Sequence, residues 1–137
     1  MQFNACLHFN GQCEEAFKFY EKCFGGKIDT MLAYEAAPGP ESMPVPPEWR
    51  KKIMHAHMTI GGQILMGMDA PPPRFSKPQG FNVNIGVKNV AEGKPIFEAL
   101  SQGGNVVMPF GPTFWAPGFG MLVDRFGTPW MINCEAA

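Results

Sequence analysis

The 137-residue chain lacks an excess of charge of either sign, because 11 Lys and Arg stand against 12 Asp and Glu, a formal net charge of −1. This balance gives no reason to predict nucleic acid or an anionic membrane surface as a partner. No apolar run is long enough to cross a membrane, and the first residues lack the basic start and apolar core of a secretion signal. We therefore expect a cytoplasmic protein that binds neither nucleic acid nor membrane.

The four cysteines lack the C-x-x-C spacing of a zinc knuckle, so we expect free thiols in a reducing cytosol. The chain also has no G-x-S-x-G, P-loop or H-E-x-x-H motif. Apolar residues make up 45% of the chain and aromatic residues 12%. This composition predicts one domain, residues 1–137, with a substantial core.

Hydrophobic periodicity and glycine pairs divide the first half of the chain into five elements. The predicted elements are a strand at 3–9, a helix at 13–24 and strands at 27–34, 53–60 and 63–69. Gly25-Gly26 ends the helix, and Gly61-Gly62 is typical of a tight hairpin turn. The segment 36–52 holds five of the 14 prolines and is predicted to be a loop.

The second half repeats this order. Its predicted elements are a strand at 81–87, a helix at 90–102 and strands at 105–108, 114–124 and 129–134. We therefore predict an α+β fold of two βαβββ modules, residues 1–70 and 80–137. Each four-stranded sheet should bury one face under its helix and curl the other into a half-barrel, so that two half-barrels enclose a cleft.

Motifs along nearly the whole chain carry a family resemblance. They are residues 9–11, 14–20, 24–26, 55–56, 61–62, 69, 113–115, 119–120 and 124–133. With these motifs the chain resembles the vicinal-oxygen-chelate superfamily of glyoxalase I, extradiol dioxygenases, and fosfomycin- and bleomycin-resistance proteins. It looks most like the PhnB-like branch, which often carries a name referring to demethylubiquinone methyltransferase. The chain has no Gly-rich turn after a first parallel strand for S-adenosylmethionine. The resemblance implies a glyoxalase/bleomycin-resistance/dioxygenase-like fold and a homodimer.

The resemblance also implies where a metal would be held. Superfamily enzymes place a ligand shortly after an acidic turn in the last strand of each module, and residues 124–127 resemble that turn. The four corresponding positions hold Cys6 or His8, Met66, Asn84 and Met131. Hard divalent ions prefer carboxylate and imidazole to thioether, so we expect no metal at this place and no other cofactor.

The predicted hairpin turn makes the histidines candidates for the cleft. A two-residue turn at 61–62 pairs His57 with Met66 and His55 with Met68, and paired residues share a face. Both histidines would then line the cleft, and strand alternation allows His8 to join them. Two interpretations stay open: a displaced three-histidine metal site or a general base, and ordinary polar residues in a partly wet cleft.

Methionines and one tryptophan complete the candidates. Met66, Met68 and Met131 suit an adaptable apolar lining, whereas Met54 and Met58 are expected to belong to the core. Trp115 either stacks on a planar ligand or anchors a core or dimer interface. The predicted ligand-binding residues are His8, His55, His57, Met66, Met68, Asn84, Trp115 and Met131. Asp69 and Asp124 are expected to shape the turns beside them.

These observations favour a PhnB-like protein that binds a small organic ligand in an apolar cleft, with catalysis left open and no catalytic residue assigned. One alternative is a metal-dependent lyase, isomerase or dioxygenase that uses His8, His55 and His57. The other is an antibiotic-binding resistance protein, against which the near-neutral charge argues, because a cationic drug calls for an acidic groove.

Overall fold

The structure is a computed structural model that describes residues 1–37 and 44–137. The chain falls into two compact units, Met1–Ser76 and Lys77–Ala137, each with one α-helix and one four-stranded mixed sheet. The predicted α+β fold with two βαβββ modules is confirmed. The unit boundary falls between the predicted modules, 1–70 and 80–137, and the description of residues 1–137 as one domain stays a prediction.

The first unit contains five of the regular elements. They are β1 (Cys6–Phe9), α1 (Cys13–Phe24), β2 (Lys27–Ala33), β3 (Ile53–Ile60) and β4 (Gln63–Asp69). The strands lie in the order β1-β4-β3-β2, with β1 parallel to β4 and the other pairs antiparallel. Two short 3-10 turns, Tyr34–Ala36 and Pro47–Trp49, overlap the predicted loop at 36–52, of which residues 38–43 lie outside the described part.

Helix α1 packs on the sheet through its apolar face. Ala16, Phe17 and Tyr20 are completely buried, and Gly25 ends the helix in the left-handed conformation with φ of 69°. Gly67 of β4 lies directly under Phe17, since a Cβ atom there would come 2.4 Å from the ring. The helix therefore covers the face of the sheet to which alternate residues of β4 point.

The turn between β3 and β4 has the predicted geometry. Gly61 and Gly62 have φ of 52° and 81°, the left-handed values that a two-residue hairpin turn requires. Ile60 pairs with Gln63, and three residues further along each strand His57 pairs with Met66, as predicted. The ladder ends at Ala56 and Gly67, one residue before the predicted pairing of His55 with Met68.

The second unit repeats the arrangement with β5 (Val83–Asn89), α2 (Val90–Ser101), β6 (Asn105–Gly111), β7 (Gly118–Val123) and β8 (Pro129–Ala136). Its strand order is β5-β8-β7-β6, with β5 parallel to β8. Asn89 caps α2 by accepting a hydrogen bond from the backbone N–H of Glu92 at 2.9 Å. Strand β6 runs further than predicted, through Pro109, which an edge strand tolerates.

Strand β7 begins four residues later than predicted, at Gly118 instead of Phe114. The reason is a tight loop in which Thr113 and Ala116 hydrogen-bond to each other. The backbone N–H of Thr113 donates to the Ala116 carbonyl at 2.8 Å, and the backbone N–H of Ala116 donates to the Thr113 hydroxyl at 3.1 Å. These bonds take the backbone out of the sheet before the strand begins.

A buried aspartate organises each unit. Asp124 closes the β7–β8 turn as predicted, because its Oδ1 accepts from the backbone N–H groups of Phe126 and Thr128 at 2.8 and 3.0 Å. Its Oδ2 accepts from the indole N–H of Trp130 at 2.8 Å, which explains why this tryptophan is in the core. The sequence does not predict this third bond.

Asp69 behaves differently from the prediction, because it shapes no local turn. Its two oxygens accept from the backbone N–H groups of Cys13 and Ile53, each at 2.9 Å, and so connect the start of α1 to the start of β3. Burial raises the pKa of the Asp69 carboxyl above its ordinary value, although these backbone donors favour the ionised form. The carboxylate is therefore a structural connection among three elements.

We expect Asp69→Ala to lower the free energy of unfolding by about 2–4 kcal/mol, because it leaves two buried backbone N–H groups without an acceptor. Chemical denaturation monitored by circular dichroism measures the change. Glu98→Ala, at an exposed position of α2, serves as the control and should change the value by less than about 0.5 kcal/mol. Equal stabilities for the two variants would contradict this role for Asp69.

Candidate functional site

The first sheet presents most of the predicted residues on the face opposite α1, here called the first open face. Its members alternate with the buried Ala56, Met58, Leu65 and Gly67 along β3 and β4. They are Cys6, His8, Thr30, Leu32, His55, His57, Met66 and Met68. The side chains of this face are half-buried or exposed within the unit.

One row of paired residues crosses all four strands of the first open face. Met66 pairs with Cys6 on one side and with His57 on the other, and His57 pairs in turn with Thr30. One step along, His8 pairs with Met68. The sheet thus brings all three histidines to one face, with His8 and His57 on the strands that flank β4.

His55 and His57 are neighbours on this face, with ring centroids 6.3 Å apart. His57 is also engaged by a carboxylate, since its Nδ1 lies 3.1 Å from Oδ2 of Asp29. The Thr59 hydroxyl donates to the same oxygen at 2.5 Å. Both hydrogen bonds lower the pKa of the Asp29 carboxyl, and the bond from Thr59 has the larger effect.

Sequence reasoning missed Asp29. Simple alternation along β2 does not bring it to the face that carries Thr30, and only a register shift between Ile28 and Thr30 does so. Such an irregularity inserts an extra residue and turns a side chain to a new direction. The sequence of β2 carries no glycine or proline at this point that would have indicated it.

The second sheet has a matching face opposite α2, here called the second open face. Gly120 of β7 points to the other side, because a Cβ atom there would come 2.6 Å from the ring of Phe97 in α2. The members of the second open face are Asn84, Gly86, Met108, Phe119, Met121, Met131 and Asn133. Asn84, Met131, Met121 and Met108 pair in sequence and form one row across the four strands.

An aromatic series extends from this face to the solvent. Phe119 is 6% exposed, Trp115 is 52% exposed and Phe114 is 98% exposed. The three rings pack edge to face, with centroid distances of 4.9 Å between Phe114 and Trp115 and 5.1 Å between Trp115 and Phe119. The interpretation of Trp115 as a core residue is therefore wrong, whereas ligand stacking and an interface remain open.

Asn133 adds a polar group beside Phe119, its partner in the β7–β8 ladder. Its side-chain oxygen is buried, and no hydrogen-bond donor reaches it in the described ranges 1–37 and 44–137. Gly86, its partner on β5, leaves open space where a Cβ atom would point. Alternation from Met131 and Met121 could have predicted that Asn133 and Phe119 share the second open face.

The residues at the predicted metal positions do not fit a hard divalent ion. Met66 lies between Cys6 and His57, and Met131 lies between Asn84 and Met121, so thioether, thiol and amide groups dominate both rows. Within the described part of the chain, no group of three or more His, Cys, Asp or Glu is arranged to hold a metal ion.

One concave feature of the first unit lies away from both rows. It is a groove of about 460 Å³ at the start of α1, lined by Gly11, Gln12, Glu14, Glu15, Lys18, Lys51, Lys52, Ile53 and Asp69. Two of its lysines are already engaged, because Lys18 contacts Glu14 at 2.7 Å and Lys52 donates to the Gly11 carbonyl at 2.9 Å. No predicted site residue lines it, so we place the candidate site on the open faces.

Comparison with known proteins relates the chain to one family. The model of the family described as 3-demethylubiquinone-9 3-methyltransferase matches residues 1–133. Protein YjdN of Escherichia coli is 32% identical, over 97% of this chain and 95% of YjdN. The crystal structure of PA1353 from Pseudomonas aeruginosa is 41% identical with a TM-score of 0.90, covering 100% of this chain and 99% of that one.

Two further solved structures extend the likeness. The PhnB protein from Bacillus cereus is 25% identical with a TM-score of 0.78, over 100% of both chains. The fosfomycin resistance protein FosX from Listeria monocytogenes is 9% identical with a TM-score of 0.66, over 98% of this chain and 93% of FosX. At that identity the likeness to FosX shows the fold alone.

We expect protein purified without a histidine tag to contain no stoichiometric metal, because the donor groups at the superfamily positions are soft or neutral. Elemental analysis measures this directly. Added Zn²⁺, Mn²⁺ or Ni²⁺ should leave the melting temperature unchanged. A metal-dependent rise that disappears in a His55→Gln, His57→Gln double variant would contradict this expectation and restore the histidine site.

Proposed function

The chain belongs to the 3-demethylubiquinone-9 3-methyltransferase family, a PhnB-like branch of the vicinal-oxygen-chelate superfamily, and on this basis we propose that it binds a small organic molecule on its open faces. The proposed binding residues are those of the sequence-based prediction. They are His8, His55, His57, Met66 and Met68 in the first unit, and Asn84, Trp115 and Met131 in the second.

The observation that carries the proposal is the pair of matching rows. In each sheet the helix covers one face, whereas the row on the other face combines methionine with a hydrogen-bonding side chain, Met66 with His57 in one sheet and Met131 with Asn84 in the other. Methionine adapts its shape to varied apolar partners, and a few polar groups give orientation. A surface that only filled a core would not need histidine and asparagine in the same rows.

The second open face supports the same proposal. A buried amide oxygen without a donor costs about 1–3 kcal/mol, which a ligand N–H or O–H group could recover after a small rotation of the Asn133 side chain. Trp115 is half exposed on a loop that Thr113 and Ala116 hold by hydrogen bonds, so a planar ligand could stack on it without ordering the loop. We therefore favour a partly aromatic or otherwise planar ligand.

The methyl-transfer activity in the family description does not fit the residues of this chain. A nucleotide-like cofactor such as S-adenosylmethionine would need free backbone amides at a Gly-rich turn between a strand and a helix. At the β1–α1 turn the backbone N–H of Cys13 already donates to Asp69, and Lys52 occupies the Gly11 carbonyl. We derive no step through that cofactor.

The two alternative functions receive no comparable support. A metal-dependent lyase, isomerase or dioxygenase needs a set of hard ligands, which the two rows do not supply. Sequestration of a cationic antibiotic needs an acidic groove, and the carboxylate seen in contact with the first open face is that of Asp29. That carboxylate is already engaged by His57 and Thr59.

A thermal-shift screen of small metabolites and metals tests the proposal. We expect stabilisation by planar organic molecules, growing with the logarithm of ligand concentration above the dissociation constant. Met66→Gln and Met131→Gln should each weaken binding by about tenfold, since each replaces an apolar thioether contact with a polar amide.

The matched control for these variants is Val107→Gln, which changes a residue on β6 that is 57% exposed and outside both rows. It should bind as the unaltered protein does. Equal affinities for all three variants would contradict binding on the open faces. A screen in which only metals stabilise the protein would favour the metal-dependent alternative.

We also propose that two copies associate in a cytoplasmic protein. Edge strand β6 exposes Val106 at 43%, Val107 at 57% and Met108 at 40%, more apolar surface than an isolated edge strand usually shows. The four cysteines, which all lie in the described ranges, form no disulfide, and this suits a reducing compartment. No helix in the described ranges has the length and hydropathy needed to cross a membrane.

Light scattering after size-exclusion chromatography measures the association. We expect a mass of two chains, and a single-chain mass for a Val106→Lys, Val107→Lys double variant, because two charges on the exposed edge oppose pairing. Lys94→Glu, at an exposed position of α2, is the control and should remain paired. A single-chain mass for the unaltered protein would contradict the proposal.

A further inference from the structure

The contact between Asp29 and His57 determines which ring nitrogen of His57 is available. The Asp29 carboxylate can only accept hydrogen bonds, so the Nδ1 atom of His57, at 3.1 Å, must donate. In the neutral imidazole the proton is then on Nδ1, and Nε2 keeps a free lone pair. A histidine in this state accepts a proton at Nε2 while the carboxylate balances the new charge.

The local backbone holds Asp29 in this position. The irregularity between Ile28 and Thr30 turns the aspartate toward the first open face, and the Thr59 hydroxyl fixes the same oxygen that His57 contacts. An ordinary alternating strand would not present this carboxylate to His57. Bonds from two side chains on β3 to one oxygen on β2 indicate a defined arrangement, in contrast to a chance approach of two surface charges.

The surroundings of His57 indicate which kind of ligand could give a proton to it. It pairs with Met66 of the methionine row, and the His55 ring is centred 6.3 Å away. Lys27, the other charged group that acts on Asp29, favours its ionised form. His57 thus lies next to Met66, whose thioether can contact the body of an organic molecule.

We propose that Asp29 and His57 form a proton-accepting pair for the ligand, and that the ligand is a small planar molecule with an acidic hydroxyl group, a phenol or an enol. The inference rests on the proposed function. In the step, the ligand O–H bond breaks, its electron pair stays on oxygen and the proton forms a bond to Nε2 of His57. The product is a bound phenolate or enolate beside an imidazolium that Asp29 stabilises. Asp29 acts as a positioning residue.

The first test requires no ligand. Long-range ¹H–¹⁵N NMR of the histidine side chains reports which ring nitrogen carries the proton. We expect His57 to be protonated at Nδ1 in the unaltered protein and to shift toward the Nε2–H form in Asp29→Ala. His55→Gln, which changes the neighbouring ring on the same face, should leave the His57 signals in the Nδ1–H form. A His57 protonated at Nε2 in the unaltered protein overturns the inference.

The second test uses 4-nitrophenol, whose phenolate absorbs in the visible range, with 4-nitroanisole as the matched probe that has no acidic hydroxyl. Below the pKa of free 4-nitrophenol, we expect the unaltered protein to bind it as the phenolate. Asp29→Asn retains an acceptor for Nδ1 but not the charge, and should weaken phenolate binding by about tenfold or more. Its affinity for 4-nitroanisole, measured by equilibrium dialysis, should not change.

The outcomes separate the inference from the proposed function. If 4-nitroanisole binds but 4-nitrophenol gives no phenolate band, the proton-accepting pair is overturned and ligand binding stands. If neither probe binds, both the inference and the proposal of a planar ligand are contradicted. If Asp29→Asn weakens the binding of 4-nitroanisole as much as that of the phenolate, Asp29 has no special part in proton acceptance and the inference is again overturned.

Discussion

Buried aspartates that accept backbone N–H groups determine how each unit is assembled. Asp69 connects the first residue of α1 to the first residue of β3, and Asp124 closes the β7–β8 turn while it binds the indole of Trp130. Each carboxylate therefore fixes where a strand begins relative to its neighbour. Because a slip of one residue would turn every side chain to the opposite face, these bonds also determine which residues reach the open faces.

The two open faces differ from those of the resembling metal enzymes at the ligand positions. In the superfamily that the chain resembles, the corresponding strand positions hold metal ligands, whereas here Met66 and Met131 stand in rows with His57 and Asn84. Replacing a carboxylate by a thioether removes affinity for a hard ion and adds a deformable apolar contact. The chain thus resembles a superfamily of metal enzymes in its scaffold, whereas the ligand that we propose for its rows is organic.

Much of this arrangement could be predicted from local signals. The pair of glycines at 61–62 gave the hairpin register and, with it, the pairing of His57 with Met66. The resemblance in 124–133 gave the position of Met131, which lies beside Asn84 as the predicted ligand positions require. The roles of Asp29 and Asp69 could not be predicted. The orientation of Asp29 depends on a strand irregularity, and the hydrogen bonds of Asp69 are to residues 16 and 56 positions away in the sequence. Neither leaves a pattern in the sequence nearby.

The central claim is that the open faces bind a planar organic ligand, and the methionines provide a direct measurement. In protein labelled with ¹³C at the methionine methyl groups, we expect a ligand found by screening to shift the signals of Met66, Met68, Met121 and Met131. The signal of Met58, completely buried under α1, should stay in place. Shifts confined to methionines outside the two rows, or equal shifts at Met58, would contradict the account.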